Sequence, residues 1–115
     1  MTTAVESLSA LAHEGRLKVF RLLVTVGLTG MAAGEIARRL GTPPNTLSAS
    51  LSLLAHEELV QSRRDGRSII YSARFDRMGD LMAFLAEDCC GGAVEVCAPV
   101  AEAAKRAACR STPVC

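Results

Sequence analysis

The residues best suited to chemistry in this 115-residue chain are its five cysteines, all of which lie after residue 88. Three of them, Cys89, Cys90 and Cys97, are close in sequence, and Gly91-Gly92 follows the adjacent pair. Adjacent Cα atoms lie about 3.8 Å apart, below the usual range for a disulfide, so a bridge between Cys89 and Cys90 is disfavoured. The glycines let both adjacent cysteines turn toward one point, and the six residues between Cys90 and Cys97 suffice for the chain to fold back and bring in the third sulfur. This spacing favours three thiolates around one soft ion, and arsenite and antimonite are ions of that kind.

Two alternatives for the same thiols stay open. Cys90 and Cys97 could be oxidised to a disulfide or a persulfide-linked form, which a thiol reductant would reverse. A site selective for trivalent organoarsenicals would need only two thiols. The other two cysteines, Cys109 and Cys115, either join such a site or have no role.

A thiol enzyme is disfavoured. No His or Lys lies near the cysteines of the last predicted helix to lower a thiol pKa, and the chain has no Cys-X-X-Cys motif or phosphate-binding glycine loop. The odd number of cysteines, all at one end, argues against a secreted disulfide framework. The sequence shows no signal peptide and no uncharged apolar run of about 18 residues. We therefore predict a cytoplasmic protein that is not an enzyme, holds no organic cofactor and does not enter a membrane.

The elements that must position these thiols are mainly helical. Apolar residues at helical spacing predict two helices in the first 26 residues, with a break near Gly15. A third helix is predicted over about 32–40, ended by Gly41, and a fourth over about 44–57 after a turn that contains two prolines. The apolar stripes of these helices are formed by Val5, Leu8, Leu11 and Ala12, by Leu17, Phe20, Leu23 and Val24, by Ile36, Ala37 and Leu40, and by Leu47, Leu51 and Leu54.

The periodicity changes after the fourth helix. Two β-compatible runs flank Asp65-Gly66, a dipeptide typical of a hairpin with a type I′ turn. A long last helix is predicted to begin near Phe75 or Asp76, with Asp76 as its cap. The order α-α-α-α-β-β-α describes a mainly helical α+β chain with a small hairpin, that is, a winged helix-turn-helix.

The distribution of charge singles out the hairpin. The formal net charge of the chain is +1, which excludes a strongly basic nucleic-acid binder, but residues 61–74 carry four arginines against one aspartate. The second helix of a helix-turn-helix enters the major groove, and a basic hairpin beside it can contact phosphates. We predict double-stranded DNA as the partner. The candidate groove contacts are Asn45, Thr46, Ser48, Ala49 and Ser52, and the candidate backbone contacts are Arg63, Arg64 and Arg67.

Residues 8–71 resemble the ArsR/SmtB family of metal-responsive bacterial repressors. The matching segments are 11–17, 20–23, 34–37, 40–41, 46–48, 58–60 and 63–67, together with Leu51, Leu54 and Tyr71. The resemblance implies a homodimer formed through the first and last long helices. It also implies repression of an operon from a palindromic operator, which is released when an inducer binds.

The cysteine pattern refines this expectation. Cys89-Cys90 followed by Cys97 is similar to the C-terminal arsenite site of one ArsR subgroup. The sequence therefore predicts a repressor that binds operator DNA and is released by As(III) or Sb(III). The winged-helix and dimerisation domain is predicted over residues 1–92, and the thiol-bearing tail over 93–115.

Overall fold

The computed structural model describes residues 2–86, 98–99, 102–103 and 105–106, with side chains from residue 4 onward. The elements in chain order are α1 (Thr2–Leu11), α2 (Glu14–Val26), β1 (Met31–Ala32), α3 (Ala33–Leu40), α4 (Pro44–His56), β2 (Val60–Asp65), β3 (Ser68–Ala73) and α5 (Phe75–Ala86). The predicted order of helices and hairpin is confirmed, with the short strand β1 as an addition.

The chain divides into two compact units, Met1–Leu81 and Met82–Cys115. In the second unit, the end of α5 and the described residues 98–99, 102–103 and 105–106 are helical. The predicted boundary between residues 92 and 93 lies outside the described residues, as do all five cysteines. The domain division and the thiol site therefore stay predictions. In the part of the chain that the structure describes, no helix has the length and apolar character needed to cross a bilayer.

The core of the first unit lies where α2, α3 and α4 meet. Leu23 of α2, Ile36 of α3 and Leu54 of α4 are each 0% exposed. Burial of one such side chain contributes about 1.5–3 kcal/mol relative to leaving it in water. The burial of these three side chains therefore stabilises the packing of the three helices. The stripe predicted for α4 is confirmed, because Leu47 and Leu51 are buried with Leu54.

The junction of α1 and α2 differs from the prediction. Gly15 lies inside α2, and the break falls at residues 12–13. His13 has an extended backbone and caps α2, with its Nδ1 accepting a hydrogen bond from the Gly15 N–H at 3.1 Å. Arg16 closes the other side of the junction, because its Nε donates to the Ala10 carbonyl at the end of α1 at 2.6 Å. The two helices are therefore separated at a histidine that caps α2, whereas the sequence predicted a break near Gly15.

The apolar stripe predicted for α1 meets the core only at Leu11, which is half-buried and packs against it. The buried positions of this helix are Ser7 and Ala10, whereas the side chains of Val5 and Leu8 are 57% and 40% exposed. In α2, Leu17 is also exposed, and Val19 is buried. The Val5 and Leu8 side chains thus form an apolar face of α1 that is exposed to solvent in the single chain.

The sheet has three strands in the order β1-β3-β2, all antiparallel. Asp65 pairs with Ser68, so the loop residues are Gly66 and Arg67. Gly66 has φ +63°, and the one non-glycine residue with positive φ in the described ranges is Glu58. The predicted type I′ turn on Asp65-Gly66 is therefore wrong. A positive φ at the first loop residue alone is the pattern of a type II′ turn.

Helix α5 begins at Phe75, and Asp76 lies inside its first turn rather than at the cap. The Met78 N–H donates to the Arg74 carbonyl at 3.0 Å, which places the cap at Arg74. Phe75 and Met78 pack against the core, but no residue of α5 is fully buried.

Candidate nucleic-acid interface

The turn between α3 and α4 is fixed by local chemistry. Gly41 ends α3 in the left-handed conformation, at φ +63° and ψ +31°, which glycine adopts without a Cβ clash. Its N–H and that of Thr42 both point to the Ala37 carbonyl. Pro43 is the cap residue of α4, and Pro44 occupies the first turn, where a missing N–H costs nothing. These residues set the angle at which α4 leaves α3.

Helix α4 separates an apolar face from a polar one. Leu47, Leu51 and Leu54 face the core, and Ser50 is buried beside them. The five predicted groove residues are all exposed: Asn45, Thr46, Ser48, Ala49 and Ser52. His56, the only ionisable side chain of the helix, is exposed at its end. This surface offers small hydrogen-bonding groups and little bulk, which allows close approach to base edges.

The wing, defined here as β2, β3 and their loop, carries the predicted arginines. Arg63, Arg64 and Arg67 are all exposed. Arg63 donates from Nη2 to the Thr29 carbonyl at 2.7 Å. Within the described ranges, Arg64 and Arg67 make no ion pair or hydrogen bond, so their guanidinium groups are free to take an anionic partner.

Three arginines outside the wing are engaged with protein groups. Arg38 pairs with Glu35 within α3, and Arg77 of α5 pairs with Glu58 at 3.3 Å. Arg16 donates to the end of α1. By contrast, Arg64 and Arg67 lie close together at the hairpin loop without such contacts in the described part of the chain. Arg21 on α2 and Arg39 on α3 are further exposed arginines that the prediction did not include.

One ion pair at the start of α5 shifts the pKa of both partners. Arg74 Nη2 lies 2.7 Å from Asp76 Oδ2. The hydrogen bond from Arg74 lowers the pKa of the Asp76 carboxyl, and the same bond raises the pKa of Arg74. Both side chains are therefore charged across the physiological range and neutralise each other, so Arg74 is a poor candidate for a phosphate contact.

The segment that supports the wing is not predicted by the sequence. Gly30, next to β1, has φ +73°, and a Cβ there would lie 2.5 Å from the Tyr71 carbonyl oxygen and 2.8 Å from Ile70 Cγ2. Met31 and Ala32 then pair with Tyr71 and Ile70 of β3. A strand of two residues has no periodicity that the sequence could reveal.

The metal-site prediction lies elsewhere in the chain. Among the described residues, no group of three or more His, Cys, Asp or Glu could hold a metal ion. The predicted ligands Cys89, Cys90 and Cys97 are outside those residues, so the site stays a prediction.

The exposed α4 face, the tight turn before it and the arginine-bearing wing together define a winged helix-turn-helix. Comparison with known proteins agrees with this class. A family described as "Helix-turn-helix domain" matches residues 11–63.

Three relatives place the chain more narrowly. The nodulation protein NolR of Rhizobium meliloti is 35% identical over 80 residues, covering 70% of this chain and 63% of NolR. The winged helix-turn-helix domain of Mycobacterium bovis Mb0332, described as homodimeric, DNA-binding and "a possible ArsR-family transcriptional regulator", is 30% identical; the match covers 76% of this chain and 81% of that one, with a TM-score of 0.61. The transcriptional repressor BigR of Xylella fastidiosa is 28% identical, with 71% and 81% covered and a TM-score of 0.57. This chain belongs to the ArsR-like family of helix-turn-helix transcriptional regulators.

Proposed function

We propose that the chain is a homodimeric repressor that binds double-stranded operator DNA and is released when As(III) or Sb(III) binds Cys89, Cys90 and Cys97. The observation that carries the DNA-binding part is the combination of an exposed, small and polar α4 face with free arginines on the adjacent hairpin. Such a protein acts where its operator is, in the cytoplasm.

The two parts of this surface have different tasks. The α4 residues Asn45, Ser48 and Ser52 suit hydrogen bonds to base edges in the major groove, whereas Ala49 suits contact with a thymine methyl. The helix carries no permanent positive charge, so it adds little to phosphate attraction. That attraction falls to the wing arginines, which favour bidentate phosphate contacts and release counterions on binding.

A second copy of the chain is the partner we propose for the exposed apolar face of α1. Val5 and Leu8 lie on that face and are exposed in the single chain. The Mb0332 relative is described as homodimeric. In a two-fold dimer the recognition helices meet two half-sites about 34–36 Å apart, which accounts for a palindromic operator. In the second unit, Met82 and Leu85 of α5 are also exposed and suit the same kind of contact.

The proposed inducer is supported by thiol chemistry in the sequence. Three cysteines at this spacing suit a thiophilic ion that takes three sulfurs. Release of DNA requires that the ion bind the DNA-free form more tightly, and a shift from mostly bound to mostly free needs several kcal/mol of such preference. Oxidation of the same thiols and binding of organoarsenicals are the alternatives that the tests below separate.

The DNA-binding test is fluorescence anisotropy with the promoter fragment upstream of the gene, measured from 50 to 200 mM salt. In a dimer, the double variant Arg64→Ala, Arg67→Ala removes four proposed phosphate contacts, so the slope of log K against log salt should fall by about 3–4. The matched control Lys18→Ala, Arg21→Ala removes the same charge from exposed positions of α2 and should leave the slope unchanged. Equal losses in both variants would contradict the assignment of the wing.

The inducer test uses the fully reduced protein. About one arsenic should be retained per wild-type protomer after free arsenite is removed, and DNA should be released. Cys97→Ser should lose both effects, whereas Cys115→Ser is the matched control. Release by an oxidant but not by arsenite would replace the metalloid with a redox signal. Equal responses in Cys97→Ser and wild type to a monomethyl arsenical alone would indicate a two-thiol site.

A further inference from the structure

We infer that Arg63 is a positioning residue that holds the wing in place, and that Arg64 and Arg67 alone supply the phosphate contacts of the hairpin. The inference rests on the proposed DNA-binding function and assigns different tasks to three arginines that the sequence treats alike. Its basis is the hydrogen bond from Arg63 Nη2 to the Thr29 carbonyl at 2.7 Å.

The position of Arg63 in the sheet gives this bond its effect. Arg63 on β2 is paired with Ile70 on β3, and Ile70 is paired in turn with Ala32 on β1. Thr29 lies two residues before β1, on the far side of the central strand. The Arg63 guanidinium therefore links β2 to the residues that precede β1, across the central strand β3. The two bonded residues are 34 positions apart in sequence.

The acceptor side of the bond is itself rigid. The Gly30 N–H donates to the Gly27 carbonyl at 3.2 Å, which closes the loop that carries Thr29. Gly30 also lies so close to Tyr71 and Ile70 that a Cβ would overlap both. The Arg63 guanidinium is therefore restrained, because any movement away from this loop breaks its bond to the Thr29 carbonyl.

The remaining arginines provide the contrast. Arg64 and Arg67 are exposed and, in the part of the chain that the structure describes, make no bond to protein groups. A guanidinium already bonded to a carbonyl has fewer free donors for a phosphate, whereas an unbonded one can use its bidentate edge. The hairpin thus holds one arginine that fixes its direction and two that remain available to bind.

The first readout is amide hydrogen exchange in the DNA-free protein, with Arg63→Ala beside its neighbour Arg64→Ala. Arg63→Ala should speed exchange at residues 30–32 and 70–71 several-fold, because the sheet edge opens locally more often, and Arg64→Ala should not. Both side chains are exposed, so both variants should fold. Unchanged exchange in Arg63→Ala would overturn the inference.

The second readout is the salt dependence of DNA binding. Arg64→Ala should lower the slope of log K against log salt by about 2, since a dimer loses two phosphate contacts. Arg63→Ala should weaken binding several-fold at every salt concentration and leave the slope at the wild-type value. A slope loss equal to that of Arg64→Ala would make Arg63 a phosphate contact and refute its positioning role. If the wild type failed to bind DNA, the proposed function would fall, and the exchange experiment would still decide whether Arg63 holds the wing.

Discussion

Substitution of Gly30 by alanine tests the packing that supports the wing. The new methyl group would meet the Tyr71 carbonyl oxygen at 2.5 Å and Ile70 Cγ2 at 2.8 Å. Real Cβ atoms do not approach a backbone oxygen so closely, so either the β1 residues or β3 must move. The backbone adds a second penalty, because φ is +73° at this position.

The magnitude follows from these two terms. A left-handed backbone costs an alanine about 1–2 kcal/mol. Overlap with packed atoms costs about 1–3 kcal/mol more, since it forces a backbone shift or a change of rotamer. Gly30→Ala should therefore destabilise the folded protein by about 2–5 kcal/mol, a large share of the 5–15 kcal/mol typical of a domain.

Two other glycines separate the terms. Gly27 has φ +87° and ψ −157°, a backbone region that is essentially restricted to glycine, but nothing lies within 4 Å of the position that a new methyl group would take. Gly27→Ala should therefore show a backbone cost of about 1–3 kcal/mol alone. Gly34 is helical and equally open, and Gly34→Ala should stabilise the protein by about 0.5–1 kcal/mol through helix propensity.

The assay is urea unfolding followed by circular dichroism, at equal protomer concentration because dimer stability depends on it. The predicted order of unfolding free energy is Gly34→Ala, wild type, Gly27→Ala and Gly30→Ala, from highest to lowest. If Gly30→Ala cost no more than Gly27→Ala, the close approach of Gly30 to β3 would be wrong, and with it the rigidity assigned to the loop that holds the wing.

Three further predictions address separate contacts. Glu58 has φ +61°, so Glu58→Gly should relieve about 1 kcal/mol of backbone strain and lose a surface ion pair with Arg77 that is worth about 0–1 kcal/mol. Urea unfolding should therefore show an unfolding free energy that is unchanged or slightly higher, and a decrease of more than about 1 kcal/mol would refute this. Arg74 lowers the pKa of Asp76 in the folded state, so the stability that the pair contributes is present above the unfolded pKa and is lost as pH falls through the folded pKa. In Asp76→Asn, the unfolding midpoint should therefore depend less on pH in the acid range, and an unchanged dependence would contradict the pairing. Leu8→Glu puts a carboxylate on the exposed face of α1, so sedimentation should show a folded monomer, and an intact dimer would place the interface elsewhere.

The helix-turn-helix and the hairpin could be predicted because their signals are local. Gly41 and the two prolines after it determine the turn, and leucines at helical spacing determine which face of α4 is buried. The Asp65-Gly66 dipeptide marks a hairpin even though the loop is displaced by one residue. Such features depend on neighbours within a few positions, and the sequence displays them directly.

The features that could not be predicted depend on residues far apart. Strand β1 has two residues and exists only because β3 pairs with it. The bond from Arg63 to Thr29 spans 34 positions, and no pattern in the sequence distinguishes Arg63 from Arg64. The sequence displays the stripe of α1 but does not show whether such a stripe faces the core or solvent. His13 is a less common cap than Ser or Asp, which explains why the predicted start of α2 is misplaced.

The most direct test of the proposed arsenite-responsive repressor is one titration. The reduced protein is bound to its labelled promoter fragment, and arsenite is added while anisotropy is recorded. We expect high anisotropy without arsenite and a fall to the value of free DNA at about one arsenic per protomer, with Cys97→Ser remaining bound. No binding before arsenite would contradict the operator-binding role, and binding that arsenite leaves unchanged would contradict the proposed three-thiol sensor.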